Sequence, residues 1–154
     1  MPLPITEANP LRLFVSHDWR EDHDYHRVFE FLEARDHFHY RNCARPGEPR
    51  PVSAEGRREA LRDQIAAAEV VVLLAAQYAG NAEQLVFMAS FAKLARKPVI
   101  VLRYFGASTP VPTALSQGAA EILDWDGRAL VDAFRRHARG EDTSGWEVVE
   151  FKLD

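Results

Sequence analysis

The stretch EVVVLLAA, residues 69–76, decides the fold class of this chain. After Glu69 it is an uninterrupted apolar run, which is typical of a strand buried on both faces of a parallel sheet. A second run of this kind, KPVIVLRYF at 97–105, has its proline near the start, where no ladder donor is lost. The two runs predict a parallel sheet that is covered by helices on both faces.

The segments around these runs alternate between strand and helix patterns, and the length of 154 residues suits one domain. Further strands are predicted at 11–17, 37–42 and 121–125, and helices at 21–34, 54–68, 82–95 and 127–139, with Ser53 capping the second helix. Residues 1–10 are interpreted as an extension, 11–140 as the domain and 141–154 as a tail. Within that tail, WEVVEFKL (146–153) fits either an edge strand or an extended segment. The predicted fold class is α/β, with a central five-stranded parallel sheet.

Composition excludes several classes of function. A net charge of −4 and a pI near 5.9 argue against a nucleic-acid-binding protein. The longest apolar runs are too short to cross a membrane, and the N-terminus lacks a signal pattern, so we expect a cytoplasmic protein. Cys43 is the only cysteine, which excludes an internal disulfide and a cysteine-based zinc site. The histidines and acids of SHDWREDHDYH (16–26) match no metal-binding spacing, so no metal site is assigned.

Ligands of parallel sheets bind beyond the carboxyl ends of the strands, which directs attention to three loops. These are SHDWRED (16–22), RNCARPGEPRP (41–51) and AQYAGNAEQ (76–84). Trp19 fits equally a residue that closes over the following helix and one that stacks on a planar ligand. The arginines at 41, 45, 50, 57, 58 and 62 fit a solubilising surface or a phosphate site. Neither a P-loop, nor a dinucleotide-binding glycine motif, nor a serine nucleophile elbow is present.

Five strings in order carry a resemblance to a known family. They are LFVSHDWREDHDYHRVFEFLE, FHYRN, LRDQIAAAEVVVLLAAQYA, KPVIVLRYFG and AAEILDWDGRALVDAF. Over residues 11–136 the chain resembles the bacterial TIR-like domains of the Thoeris antiphage type. The resemblance implies a flavodoxin-like three-layer sandwich, and an immune signalling system in which active members cleave the nicotinamide bond of NAD+ and cyclise or transfer the ADP-ribose.

The chain departs from the family at its polar site positions. Gln84 stands where the family has tryptophan, Met88 where it has the catalytic glutamate, and Ala44 where it has serine. The catalytic residues are therefore unknown, and we expect catalysis to be impaired. Two alternatives stay open: an active NAD+ glycohydrolase or cyclase that uses Asp18 or Glu83, and a nucleoside-transferase-like enzyme on the same fold. Glu83 lies about 140° around the helix from Met88, so we expect it to face away from the site.

The resemblance also implies a ligand pocket and a partner. We expect Ser16, His17, Asp18, Trp19 and Asn42 to admit an adenine or nicotinamide nucleotide, with NAD+ as substrate or ligand and no bound cofactor. The helix QLVFMASFA (84–92) is almost uniformly apolar, which predicts burial by the core on one side and by another protein on the other. Phe87, Met88 and Phe91 are accordingly expected to contact another TIR-like or effector protein in a homo- or hetero-oligomer.

Overall fold

A computed structural model describes residues 4–143 of the chain, which form a five-stranded parallel sheet flanked by helices. The strands are β1 (Leu11–Val15), β2 (Tyr40–Asn42), β3 (Val70–Leu74), β4 (Val99–Leu102) and β5 (Glu121–Leu123). The helices are α1 (His23–Glu33), α2 (Ala54–Ala67), α3 (Tyr78–Leu94), α4 (Thr113–Ser116) and α5 (Gly127–Arg139). The strand order is β2-β1-β3-β4-β5, and α1 packs with α5 while α2 packs with α3. The predicted flavodoxin-like α/β fold is confirmed.

The core is built around β3 and its uninterrupted apolar run. Every residue of β3 has no exposed surface, and β4 is buried along its whole length. Phe14 of β1 and Phe134 of α5 are the largest fully buried side chains. Complete burial of a valine or leucine side chain contributes roughly 1.5–3 kcal/mol. The uninterrupted pattern of residues 70–74 therefore makes β3 the centre of the sheet and leaves it without a solvent face.

Several elements are shorter than predicted, and two of the boundary differences occur where the backbone leaves regular geometry. His37 has a φ of 61°, which a strand does not accommodate, so β2 comprises only residues 40–42. The helix predicted from residue 82 begins at Tyr78, with a kink at Asn81 (φ −148°, ψ 35°). The cap is as predicted, since Ser53 Oγ accepts a 2.9 Å hydrogen bond from the Gly56 amide. The prediction for 146–153 lies outside the described residues.

A buried ion pair fastens α5 and the N-terminal segment to the amino end of β3. Arg139, only 6% exposed, donates through Nε and Nη2 to the Glu69 carboxylate at 2.6 and 3.0 Å. It also donates to the carbonyls of Pro4 and Pro10. Burial raises the pKa of Glu69, but the hydrogen bonds from Arg139 and from the Arg12 amide more than offset it. The pKa of this carboxyl therefore lies below its ordinary value.

We expect Arg139→Met to lower the free energy of unfolding by about 3 kcal/mol at pH 7, because Glu69 loses its main counter-charge in a largely buried place. The depressed pKa of Glu69 means that the pair stabilises the fold above the ordinary value of 4.5. That stabilisation is lost as the pH falls through the lower pKa of the folded state. The difference in free energy of unfolding between Arg139→Met and wild type should therefore become smaller there. Urea unfolding at several pH values measures this.

The control for this substitution is Arg41→Met, which removes an exposed arginine and should change the free energy of unfolding by less than about 0.5 kcal/mol. A loss in Arg139→Met that stays constant on acidification would show that packing, and not the ion pair, is responsible.

Candidate functional site

A cleft of ≈ 270 Å³ opens at the carboxyl edge of the sheet, beside the ends of β1 and β3. Strand order reverses between these two strands, which is where sheets of this type bind ligands. The cleft is lined by residues from the loop after β1, the loop before α2 and the first turns of α2 and α3: Asp18, Arg50, Ala54, Arg57, Arg58, Gly80, Asn81, Ala82, Glu83, Gln84 and Phe87. Each of the three loops singled out in the sequence therefore contributes to it.

Three of the six clustered arginines, Arg50, Arg57 and Arg58, line the cleft. Arg57 Nη1 donates to the carbonyls of Pro51 and Val52 at 3.0 and 2.9 Å, which fixes its guanidinium against the loop. Arg58 pairs with a carboxylate on the exposed side of α2. The first turn of α2 faces the same cleft, and the positive end of its dipole adds to the arginine charges. This wall is suited to an anion such as a phosphate.

Asp18 is the acidic group in the middle of this arrangement. Its Oδ1 accepts hydrogen bonds from Arg50 Nε at 3.0 Å and from Gln84 Nε2 at 2.9 Å. Burial raises the pKa of Asp18, but the hydrogen bonds from Gln84 and Arg50 outweigh that effect and hold the pKa below its ordinary value. Asp18 is thus an ionised carboxylate whose charge is already offset by Arg50, so it is poorly placed to donate a proton.

Ser16 and His17 lie beneath the cleft and have no exposed surface. Ser16 Oγ donates to Gln77 Oε1 at 2.6 Å and accepts from the Leu74 amide, which joins β1 to the end of β3. His17 Nδ1 accepts from the Trp19 amide, so Nε2 carries the proton and donates to Gln64 Oε1 at 2.8 Å. Burial lowers the pKa of His17, in accord with a neutral imidazole. Both polar side chains satisfy groups inside the protein.

Trp19 and Asn42 also stand apart from the residues that line the cleft. Trp19 is 9% exposed with a φ of 55°, and its ring packs edge-on against the His17 imidazole. Of its two sequence interpretations, closure over the protein fits this position better than stacking on a ligand. Asn42 donates to the Tyr25 hydroxyl and accepts from the Ala44 amide. Of the five residues predicted to bind a nucleotide, Asp18 lines the cleft and the other four do not.

Helix α3 has one core face and is not buried all round. Met88 has no exposed surface and packs in the core, so the expectation that it contacts another protein is wrong. Phe87 and Phe91 are half-buried, with rings stacked at 6.3 Å, and Leu94 is 81% exposed. For these two phenylalanines the contact remains a prediction.

Glu83 faces in a different direction from Met88, as predicted, but it does not face away from the site, because the exposed Glu83 lines the cleft. The part of α3 that lines the cleft carries Glu83, Gln84 and Phe87, whereas Met88 is buried in the core. Among residues 4–143 Glu83 makes no ion pair. The kink at Asn81, a residue that itself lines the cleft, was not predicted from the sequence.

Within the described part of the chain, no cluster of three or more histidine, cysteine or carboxylate side chains is arranged to hold a metal ion. No helix there has the length and apolar character needed to cross a membrane. Compared with models of protein families and with curated proteins, the chain matches none of them. The site must therefore be interpreted from its own chemistry.

We expect Met88→Glu to destabilise the protein by about 3–5 kcal/mol and to leave the cleft without a new carboxylate, because position 88 faces the core. Met88→Leu is the matched control and should cost less than about 1.5 kcal/mol. Thermal unfolding gives the comparison. A stable Met88→Glu protein that gains NAD+ cleavage would contradict the placement of this residue.

Proposed function

We propose that this chain is a TIR-like signalling domain that binds an anionic nucleotide in the arginine-lined cleft without cleaving it. The observation that carries the proposal is the position of Arg50, Arg57 and Arg58 around a cleft at the β1–β3 switch point. The resemblance over residues 11–136 supports assigning that cleft to a bacterial immune signalling domain. Phosphate groups suit such a wall because guanidinium groups bind their oxygens through paired hydrogen bonds.

The proposal of impaired catalysis rests on the carboxylates of the cleft. Cleavage of a glycosidic bond develops positive charge on the sugar, which a free carboxylate stabilises by roughly 3–4 kcal/mol in comparable sites. The family's position for this carboxylate is the buried Met88. The charge of Asp18 is offset by Arg50. Neither residue is suited to supply that stabilisation.

An active enzyme is the second candidate, and the position of Glu83 favours it. This residue is exposed, lines the cleft and makes no ion pair within residues 4–143. A carboxylate with these properties suits stabilisation of a cationic sugar in an NAD+ glycohydrolase or cyclase, and equally in a nucleoside-transferase-like enzyme. The two candidates differ in one measurable property, which is the release of nicotinamide or of a free base.

We expect the purified protein to bind ADP in calorimetry and to release no nicotinamide from NAD+. The double variant Arg57→Ala, Arg58→Ala should weaken ADP binding at least about tenfold, because charge-assisted hydrogen bonds to a phosphate are each worth roughly 1.5–3 kcal/mol. Arg41→Ala, at an exposed arginine that does not line the cleft, should bind as the wild type does.

Absence of ADP binding at millimolar concentration, or equal affinity in the double variant, would contradict the binding proposal. Steady release of nicotinamide that Glu83→Gln abolishes would establish the second candidate instead. In that case Asp18→Asn shows whether the paired carboxylate takes part as well.

We further propose that α3 contacts another TIR-like or effector protein through Phe91 and Leu94, beside the half-buried Phe87. If the partner is a second copy, the protein should have twice its 17.5 kDa mass or more in solution. Phe91→Glu with Leu94→Glu should reduce it to one chain, since two buried charges in an apolar contact are costly. Val52→Glu, at an exposed apolar residue outside α3, is the control. A wild-type mass of one chain would rule out self-association.

A further inference from the structure

The arginine-lined cleft has a second compartment beside it. This neighbouring cavity of ≈ 190 Å³ is lined by Asp18, Arg20, Asp22, Ala76, Gln77, Gly80 and Asn81. Asp18, Gly80 and Asn81 line both spaces and therefore form the wall between them. Pockets for organic ligands usually enclose about 300–1,000 Å³. The arginine-lined compartment lies near the lower limit of that range, as expected for a small ligand, and the second compartment is too small to hold an organic ligand by itself.

Gln84 holds this wall in place. Its Nε2 donates to Asp18 Oδ1 at 2.9 Å and to Asn81 Oδ1 at 2.8 Å, which ties the loop after β1 to the kink of α3. Arg50 Nε binds the same Asp18 oxygen at 3.0 Å from the arginine-lined side. We call the group Asp18, Asn81 and Gln84 the crossbar, because its hydrogen bonds lie between the two compartments.

The hydrogen bonds of the crossbar leave two of its own polar atoms without partners. Gln84 Oε1 and Asn81 Nδ2 are buried and have no hydrogen-bond partner among the described residues. Turning the Gln84 amide over would place its oxygen against the Asp18 carboxylate, so the observed orientation is fixed by that charge. Unsatisfied buried groups are rare in proteins and often mark positions constrained by function.

The second compartment differs chemically from the first. Gln77 Nε2 donates a hydrogen bond to Asp22 Oδ2, and Asp22 also caps α1 by accepting from the Tyr25 amide. Arg20 is the cation of this compartment, whereas Arg50, Arg57 and Arg58 line the other side of the crossbar. A nucleoside diphosphate can place its phosphates on the arginine-lined side alone. A dinucleotide carries a second nucleoside beyond the same diphosphate and therefore needs both spaces.

We infer that Gln84 determines ligand size, because the crossbar restricts the cleft to a nucleoside diphosphate and excludes the second half of a dinucleotide. The inference rests on the proposed function, as it concerns which nucleotide the same cleft accepts. Loss of the Gln84 amide frees Asp18 and Asn81 to move apart and joins the two compartments. Arg57 is held by the carbonyls of Pro51 and Val52 and Arg58 by Glu55, so these two arginines keep their positions without the crossbar.

The test is calorimetric titration of ADP and of NAD+ into wild type, Gln84→Ala and Gln84→Met. Gln84→Met keeps the length of the side chain but donates no hydrogen bond, and it provides the answer if the alanine variant is unstable. We expect wild type to bind ADP at least tenfold more tightly than NAD+. Both variants should bring that ratio below threefold, chiefly by tighter NAD+ binding. Gln117→Ala, at an exposed glutamine that does not line either compartment, is the control.

Two outcomes overturn the inference while the proposed function stands: equal binding of ADP and NAD+ by wild type, or an unchanged ratio in both variants. Absence of ADP binding by wild type overturns the proposed function itself and the inference with it. A ratio that changes equally in Gln117→Ala would show that loss of a surface amide, and not the crossbar, causes the effect.

Discussion

Burial of β3 on both faces is the constraint on which the rest of the structure depends. Residues 70–74 have no solvent face, so their backbone groups must pair with strands on both sides and their side chains must meet helices above and below. Such a strand leaves no position for a polar functional group along its length. The polar groups of the site therefore lie in the loops and first helical turns at the carboxyl edge, where β1 and β3 end and the cleft opens.

Asp18 connects the three parts of that edge. It comes from the loop after β1, Arg50 from the loop before α2 and Gln84 from α3, and the three side chains meet at a single carboxylate oxygen. The residues just before Asp18 bind inward and hold the loop from beneath, through Ser16 to the end of β3 and through His17 to α2. The shape of the cleft thus depends on contacts between residues far apart in sequence.

The parts of the structure predicted from sequence are those for which side-chain pattern and environment agree. The apolar runs correctly predicted the buried strands, and Ser53 correctly predicted the start of α2. In α3 the pattern was uninformative: polar residues normally mark the solvent face, and the segment 84–92 has almost none, so the buried position of Met88 could not be distinguished from that of Phe87. For Ser16 and His17, the sequence cannot tell a polar group that faces a ligand from one that satisfies a buried partner.

The charges of the cleft bear on binding and catalysis in opposite ways. Arg57, which pairs with no carboxylate within residues 4–143, and the N-terminus of α2 favour an anion, while Arg50 and Arg58 are paired with Asp18 and Glu55. The same positive charge opposes the cationic sugar that forms when a nicotinamide bond breaks. Two unit charges 4 Å apart interact by about 4 kcal/mol at an effective dielectric constant near 20, so an arginine close to the sugar raises the barrier unless a carboxylate faces it. The charge of Asp18 is offset by its ion pair with Arg50. The charge of Glu83 is partly screened, because this side chain is exposed to solvent. A cleft with this balance is better suited to hold a nucleotide than to cleave one, which is why the proposed function is recognition.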